Sequence, residues 1–190
     1  HTTAESHDRV IVVEVMGRDA GWIALQAGIA GGATAIVVPE VPFDIDELSQ
    51  IVRRRHGRGR YASVVVVAEG AKPKPNTMKI PNRKLDVYGR EKLGDIASVI
   101  GPEISERTGF ESRVVQLGYI QRGGTPTSYD RVLSTRFGLA AVDAVHNKKF
   151  GQMVVLKAGQ IETADMSVTA NQTRTIDLKL FADVAATFFG

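Results

Sequence analysis

Gly118-Tyr119-Ile120-Gln121-Arg122-Gly123-Gly124-Thr125-Pro126 is the stretch on which the reading of this chain turns. The residues just before it, Ser112-Arg113-Val114-Val115-Gln116-Leu117, predict a short buried strand. After it, apolar positions at Val132, Leu133, Phe137, Ala140, Ala141 and Ala144 predict a long amphipathic helix over 128–147. A strand therefore runs into a loop carrying a fixed cation and two glycines, and the loop feeds a helix N-terminus. In an open α/β sheet, ligands bind at the carboxyl ends of the strands. Glycines let backbone N–H groups approach an anion closely, and the helix dipole favours negative charge there. Arg122 adds a planar fork of donors suited to phosphate. The pattern points to a phosphate-bearing small molecule, though a turn that only reverses the chain would also fit it.

Working outward, residues 9–15 are almost uninterrupted β-branched residues, as suits a parallel strand buried on both faces. Further strands are predicted at 35–38, 61–68 and 152–156. Between them, a helix is expected over residues 22–30, stopped by Gly31-Gly32. Another starts at Asp44, with acids in its first turn and Arg53-Arg54-Arg55-His56 in its last, both matching the macrodipole. A helix over 90–107 is expected to break or kink at Gly101-Pro102. The first eight residues read as a loop or frayed end, and 70–89 as a mobile basic loop punctuated by prolines. A polar connector follows the strand at 152–156 and leads to a final helix over 178–189. Repeated strand–helix–strand units imply a mainly parallel sheet flanked by helices, a Rossmann-like three-layer α/β arrangement with right-handed crossovers. The whole of 1–190 reads as one such domain, without repeats or heptads.

Hydrophobic content of 43% and charged content of 24% are those of a globular protein. No apolar run reaches transmembrane length and no signal-peptide pattern opens the chain, so no membrane is expected and a cytoplasmic location is the default. With no cysteine, disulfide and thiol chemistry are excluded. A net charge of +3 fits anionic substrates; without a matching fold or aromatic platform it does not argue for nucleic acid.

Charged residues cluster at three predicted strand ends: Glu14 and Arg18 at the first, Glu69 at the third, Arg122 after the fourth. A carboxylate can accept hydrogen bonds from sugar hydroxyls and an arginine can hold a phosphate, so a sugar phosphate would use both. Each also has a plain structural reading: Glu69 as a helix cap, Arg18 as an ordinary surface residue.

The stretch at Gly118, with Tyr129-Asp130-Arg131 after it, resembles the hexose-phosphate loop of the 6-phosphofructokinase family. Val13-Glu14-Val15-Met16-Gly17-Arg18 and Ala68-Glu69-Gly70 resemble that family's other substrate signatures, in the same order. The resemblance covers nearly the whole chain and implies the C-terminal, fructose 6-phosphate-binding half of such an enzyme. By that resemblance Glu69 meets the fructose hydroxyls, and Met16, Gly17 and Arg18 line the sugar. Arg18, the one catalytic residue implied, reaches toward the transferring phosphoryl group. Tyr119 and Arg122 grip the 6-phosphate. Arg9 and Arg113 match arginines that reach this phosphate from an adjacent subunit, which implies a homo-oligomer, dimer or tetramer. Tyr119 stands where histidine is expected in much of the family; it donates a hydrogen bond but brings no positive charge near neutral pH.

Arg58 and Arg60 match positions near an effector phosphate in bacterial members. Thr34 and Tyr61, however, stand where a glutamate and a lysine are expected, so the resemblance does not carry nucleotide control of the familiar form over to this chain. No Gly-Gly-Asp donor loop and no Thr-Ile-Asp-Asn-Asp-like segment occurs. The expectation is a fragment lacking the N-terminal half, which would carry the catalytic base and most of the site for magnesium with ATP or pyrophosphate. A non-catalytic sugar-phosphate or anion sensor and a nucleic-acid module using the arginine run are the alternatives.

Overall fold

The computed structural model describes residues 1–80, 85, 87, 89, 93–170 and 172–186. β1 (Val10–Val15) and β3 (Ser63–Ala68) are the most continuously β-branched segments, and they occupy the centre of a four-stranded sheet in the order β2-β3-β1-β4. β2 (Ala35–Val37) and β4 (Ser112–Gln116) are the edges, and every pairing is parallel. Side chains alternate between two apolar layers, as a strand's period of two requires. Val10, Val12, Val65 and Val67 face one layer. Val15, Ile36, Val66 and Ala68 face the other.

The first layer is closed by α3 (Ile45–Gly57) and α4 (Ile96–Thr108), through Ile45, Leu48, Val52, Ile96, Ile100 and Ile104. The second is closed by α2 (Trp22–Ala30) and the returning C-terminal residues, through Ala24, Leu25, Ile176 and Ala185. This is the expected three-layer α/β arrangement. α3 starts where its chemistry says it should, since the Asp44 carboxylate accepts from the N–H groups of Asp46 and Glu47.

Several segments differ from their sequence reading. Residues Thr2–Ser6 form a short helix, α1, rather than a loop, anchored by a fully buried Ala4. α4 runs through Pro102 without breaking. The start of the basic loop is anchored: Ala71 is buried, Phe43 and Pro73 form a bridge, and Lys74 pairs with Glu47 at 3.0 Å. Of that loop, residues 81–84, 86 and 88 lie outside the described residues, as do 90–92 of the helix expected at 90–107.

The largest difference concerns the strand predicted at 152–156. It is β5 (Gln152–Lys157), and it pairs antiparallel with β6 (Gln160–Asp165), a segment read as part of a polar connector. Ala158 and Gly159, at φ 47° and 80°, make the two-residue turn that joins them. The pair forms its own two-stranded sheet. The final helix opens as α6 (Leu178–Leu180) and continues as a π-turn over Phe181–Ala185; residues 187–190 lie outside the described residues.

Where the sequence reads as one domain, the described residues fall into two compact units: His1–Gln121 with Arg174–Gly190, and Arg122–Thr173. The second consists of α5 (Ser128–His146), the β5–β6 hairpin and a 3-10 turn at Met166–Thr169. These elements pack on one another and add no strand to the parallel sheet.

Candidate functional site

Because β3, β1 and β4 are neighbours, their carboxyl ends open side by side: Glu69 after β3, Met16-Gly17-Arg18 after β1, and Gly118-Tyr119 after β4. Adjacent strands lie about 4.8 Å apart, so three loops meet within the reach of one small ligand. Glu69 does more than project into this crevice. Its Oε1 accepts from Gly17 N–H at 3.3 Å and from Arg18 N–H at 3.1 Å, fixing the turn that carries Arg18.

That turn is backbone-limited on every side. A Cβ at Gly17 would lie 2.5 Å from the Ala20 carbonyl oxygen, and one at Gly70 would lie 1.7 Å from the Arg18 carbonyl oxygen. Arg18 itself sits at φ 54°, the left-handed region that a bulky L-residue rarely enters. Conformations of this kind persist only where the surroundings over-determine them, and they gather at functional sites. Here the surroundings are the Glu69 carboxylate and the close approach of Gly70.

Glu14 corrects an expectation. Instead of projecting into the crevice it is buried, with Oε1 accepting from Asp95 N–H at 3.1 Å and Oε2 from Ala97 N–H at 2.9 Å. It therefore caps α4, whose own N-cap Asp95 makes no side-chain cap bond. Burial pushes the Glu14 carboxyl above the usual range, opposed in part by those two N–H donors. Sequence reading also missed Gln121, whose Oε1 accepts from Met16 N–H at 3.1 Å. It lies inside the motif, but glutamine carries no charge to draw attention.

Arg9 and Arg113 are placed elsewhere. They stand at the amino ends of β1 and β4, about 20 Å along the strands from the Arg18 turn. There they share one carboxylate: Arg9 Nε lies 2.7 Å from Glu111 Oε2, and Arg113 Nη2 lies 2.6 Å from Glu111 Oε1. The Arg9 bond, with both guanidinium charges nearby, holds the Glu111 carboxyl below its ordinary value.

Arg58 forms the C-cap of α3. Arg60 and Arg55 line a cavity of about 460 Å³ in which Glu5 and Asp8 supply the opposite charge. Thr34 is structural: it is buried, and its Oγ1 accepts from Val64 N–H at 3.1 Å.

In the second unit, Arg122, Gly123 and Gly124 precede a capping box at the start of α5. Thr127 Oγ1 accepts from Asp130 N–H, and the Asp130 carboxylate accepts from Thr127 N–H at 2.9 Å. Tyr119, in the 3-10 turn Gly118–Arg122, is 81% exposed.

Among the described residues no group of three or more His, Asp or Glu is arranged to hold a metal ion. No described helix is long and apolar enough to cross a membrane.

The chain is 52% identical over 182 residues to the ATP-dependent 6-phosphofructokinase 3 of Streptomyces coelicolor, covering 96% of this chain and 53% of that protein. It is 50% identical over 190 residues to the pyrophosphate–fructose 6-phosphate 1-phosphotransferase of Amycolatopsis mediterranei, covering all of this chain and 55% of that one. The chain thus spans about half the length of the curated relatives it matches. Among solved structures, phosphofructokinase from Saccharomyces cerevisiae superposes with a TM-score of 0.72 at 33% identity, over 98% of this chain and 22% of the yeast chain. Residues 1–145 match the phosphofructokinase family, and the chain belongs to it.

Proposed function

We propose that this chain is the sugar-phosphate half of a 6-phosphofructokinase. In the whole protein the 1-hydroxyl of fructose 6-phosphate would attack the terminal phosphate of ATP or pyrophosphate, giving fructose 1,6-bisphosphate, a step of glycolysis. The observation that carries this reading is the Glu69 carboxylate bound to the Gly17 and Arg18 N–H groups at adjacent strand ends. A carboxylate has about four acceptor sites, so the group that fixes the turn is also able to accept sugar hydroxyls. Arg18, held in a strained turn, would meet the charge that develops on the transferring phosphoryl group.

Met16 and Gly17 would line the sugar, and Tyr119 and Arg122 would hold its 6-phosphate. The position of Arg9 and Arg113 at the far end of the sheet supports the reading that they serve the site of a second copy, so that an oligomer completes it. Arg60, which lines a cavity with charges of both signs, and Arg58 at the C-cap of α3 remain candidates for an effector anion.

The donor, its magnesium and the catalytic base are assigned to the part of the relatives that this chain does not span. Relatives of 52% and 50% identity are named for ATP and for pyrophosphate, so overall similarity does not choose between the donors.

The test is fructose 1,6-bisphosphate formation by the purified whole protein and by the 190-residue chain, with ATP and with pyrophosphate. Turnover with one donor is expected from the whole protein and none from the chain. In the whole protein Arg18→Ala is expected to lower kcat about 10²–10³-fold, as loss of a charge-stabilising donor does. A whole protein that neither turns over nor binds fructose 6-phosphate overturns the reading.

A further inference from the structure

Gln121 makes two hydrogen bonds that join two loops. Its Oε1 accepts from Met16 N–H at 3.1 Å, and its Nε2 donates to Gly118 C=O at 3.0 Å. Both partners are main-chain groups, one a donor and one an acceptor, so only one orientation of the amide satisfies them. No carboxylate or aliphatic side chain of that length serves both.

Met16 is one residue past the end of β1, where its N–H has left the paired ladder. The next two N–H groups, of Gly17 and Arg18, go to Glu69. Three successive N–H groups of the Arg18 turn are therefore received by side chains from the two flanking strands' loops. Glu69 holds the turn from the β3 side, and Gln121 holds it from the β4 side. The half-buried Met16 N–H depends on Gln121 as its side-chain acceptor.

We infer that Gln121 is a positioning residue. It couples the Gly118–Arg122 turn to the Met16-Gly17-Arg18 turn, so that ordering of the first by a bound phosphate sets the place of Arg18. The inference rests on the sugar-phosphate reading for its ligand and on the two hydrogen bonds for its coupling. The two can fail separately.

Gln121→Met keeps the length and removes both bonds; Gln121→Glu keeps an acceptor for Met16 and turns repulsive toward Gly118 C=O. In the 190-residue chain, Gln121→Met is expected to speed amide exchange at Met16 by about 10-fold or more, with Val12 unchanged. In the whole protein it is expected to lower kcat about 10-fold with KM within about threefold, and to have no further effect once Arg18 is alanine. A purely structural Gln121 would add its loss to that of Arg18→Ala.

Unchanged Met16 exchange, or additive losses with Arg18→Ala, overturns the coupling. If the whole protein does not bind fructose 6-phosphate, the ligand reading falls, and Met16 exchange still decides the coupling. Should Gln121→Met fail to fold, Gln121→Ala, which also removes both bonds, is put through the same measurements and judged by the same outcomes.

Discussion

α4 and α5 are both amphipathic helices, yet they meet opposite surroundings. Ile96, Ile100 and Ile104 of α4 are at most 1% exposed, whereas Val132, Leu139, Val142 and Val145 of α5 lie between 58% and 66%. α4 has a four-stranded parallel sheet beneath it, covered on its other face by α2 and the C-terminal return. α5 has a two-stranded hairpin, and isolated hairpins are marginal in water. Periodicity gives a helix an apolar face; only an opposing layer turns that face into a core. The first unit holds an apolar layer on each face of its sheet, whereas inside the second unit α5 meets only a two-stranded hairpin.

The largest effect expected from this contrast is at Ile100. Ile100→Ala removes fully buried methyl groups between α4 and the sheet and is expected to cost about 2–5 kcal/mol in urea unfolding. Leu139→Ala in the same chain is expected to stay within about 0.5 kcal/mol. Repeated in the whole protein, Leu139→Ala should become destabilising by more than that if a further half covers α5. Equal costs at the two sites in the isolated chain would break the comparison.

Next in size is Gly70→Ala, where the new methyl meets the Arg18 carbonyl oxygen, an atom that cannot step aside. Overpacking of this kind costs about 1–3 kcal/mol. Here the turn itself should give way, so Arg18 N–H exchange is expected to rise along with the loss of stability. A Gly70→Ala protein with wild-type stability and exchange would mean that the turn is looser than its contacts indicate.

Much of the first unit is legible in the sequence. Three of the four parallel strands follow from β-branched runs whose side chains have an apolar layer on both faces; β4, expected to be buried, is a sheet edge with no buried residue and Val115 exposed. The Asp44 start of α3 follows from cap chemistry. The convergence of Met16-Gly17-Arg18 and Glu69 follows once their strands are neighbours. Glu14 is not legible, because a charged residue in a strand looks the same whether it faces a crevice or a helix end. Gln121 is not legible either, since its role lies in main-chain partners that only folding brings to it.

The β5–β6 hairpin was hidden by composition. Gln160-Ile161-Glu162-Thr163-Ala164-Asp165 is polar at four of its six positions and lacks the strict alternation that marks a strand with one exposed face. The turn at Ala158-Gly159 is its local signal. The continuation of α4 through Pro102 overrides a strong local preference, with Ile100 and Ile104 buried on either side of it.

A smaller effect belongs to the cap of α5. Thr127→Ala removes the hydroxyl that receives Asp130 N–H and is expected to cost about 1 kcal/mol of local helix stability. The readout is amide exchange in the first turn of α5, with α4 as the internal reference. Faster exchange in α5 alone would show that the second unit opens independently. Matching changes in both helices would show one cooperative unit and dissolve the distinction.

The smallest effect is also the sharpest, because both units use a carboxylate at a helix start. Glu14 is shut away from water, and burial raises its pKa; Asp130 is exposed, and its bonds to Thr127 lower its pKa. A raised folded value means that the native state holds the extra proton. Glu14 then favours folding below its unfolded value, and that advantage fades as pH rises through the folded value. Asp130 does the reverse: its contribution is present above its unfolded value and is lost as pH falls through the folded one. Measured by urea unfolding, wild type minus Glu14→Gln should move toward wild type as pH drops from 7 toward 4.5. In amide exchange of the first turn of α5, wild type minus Asp130→Asn should move away from wild type as the pH is taken lower still. Other groups cancel in each difference, since they titrate alike in both members of a pair. If the Glu14 difference instead moves away from wild type on acidification, the α4 N–H groups outweigh burial. Glu14 would then be an ordinary ionised cap, and the two helix starts would differ in exposure but not in electrostatics.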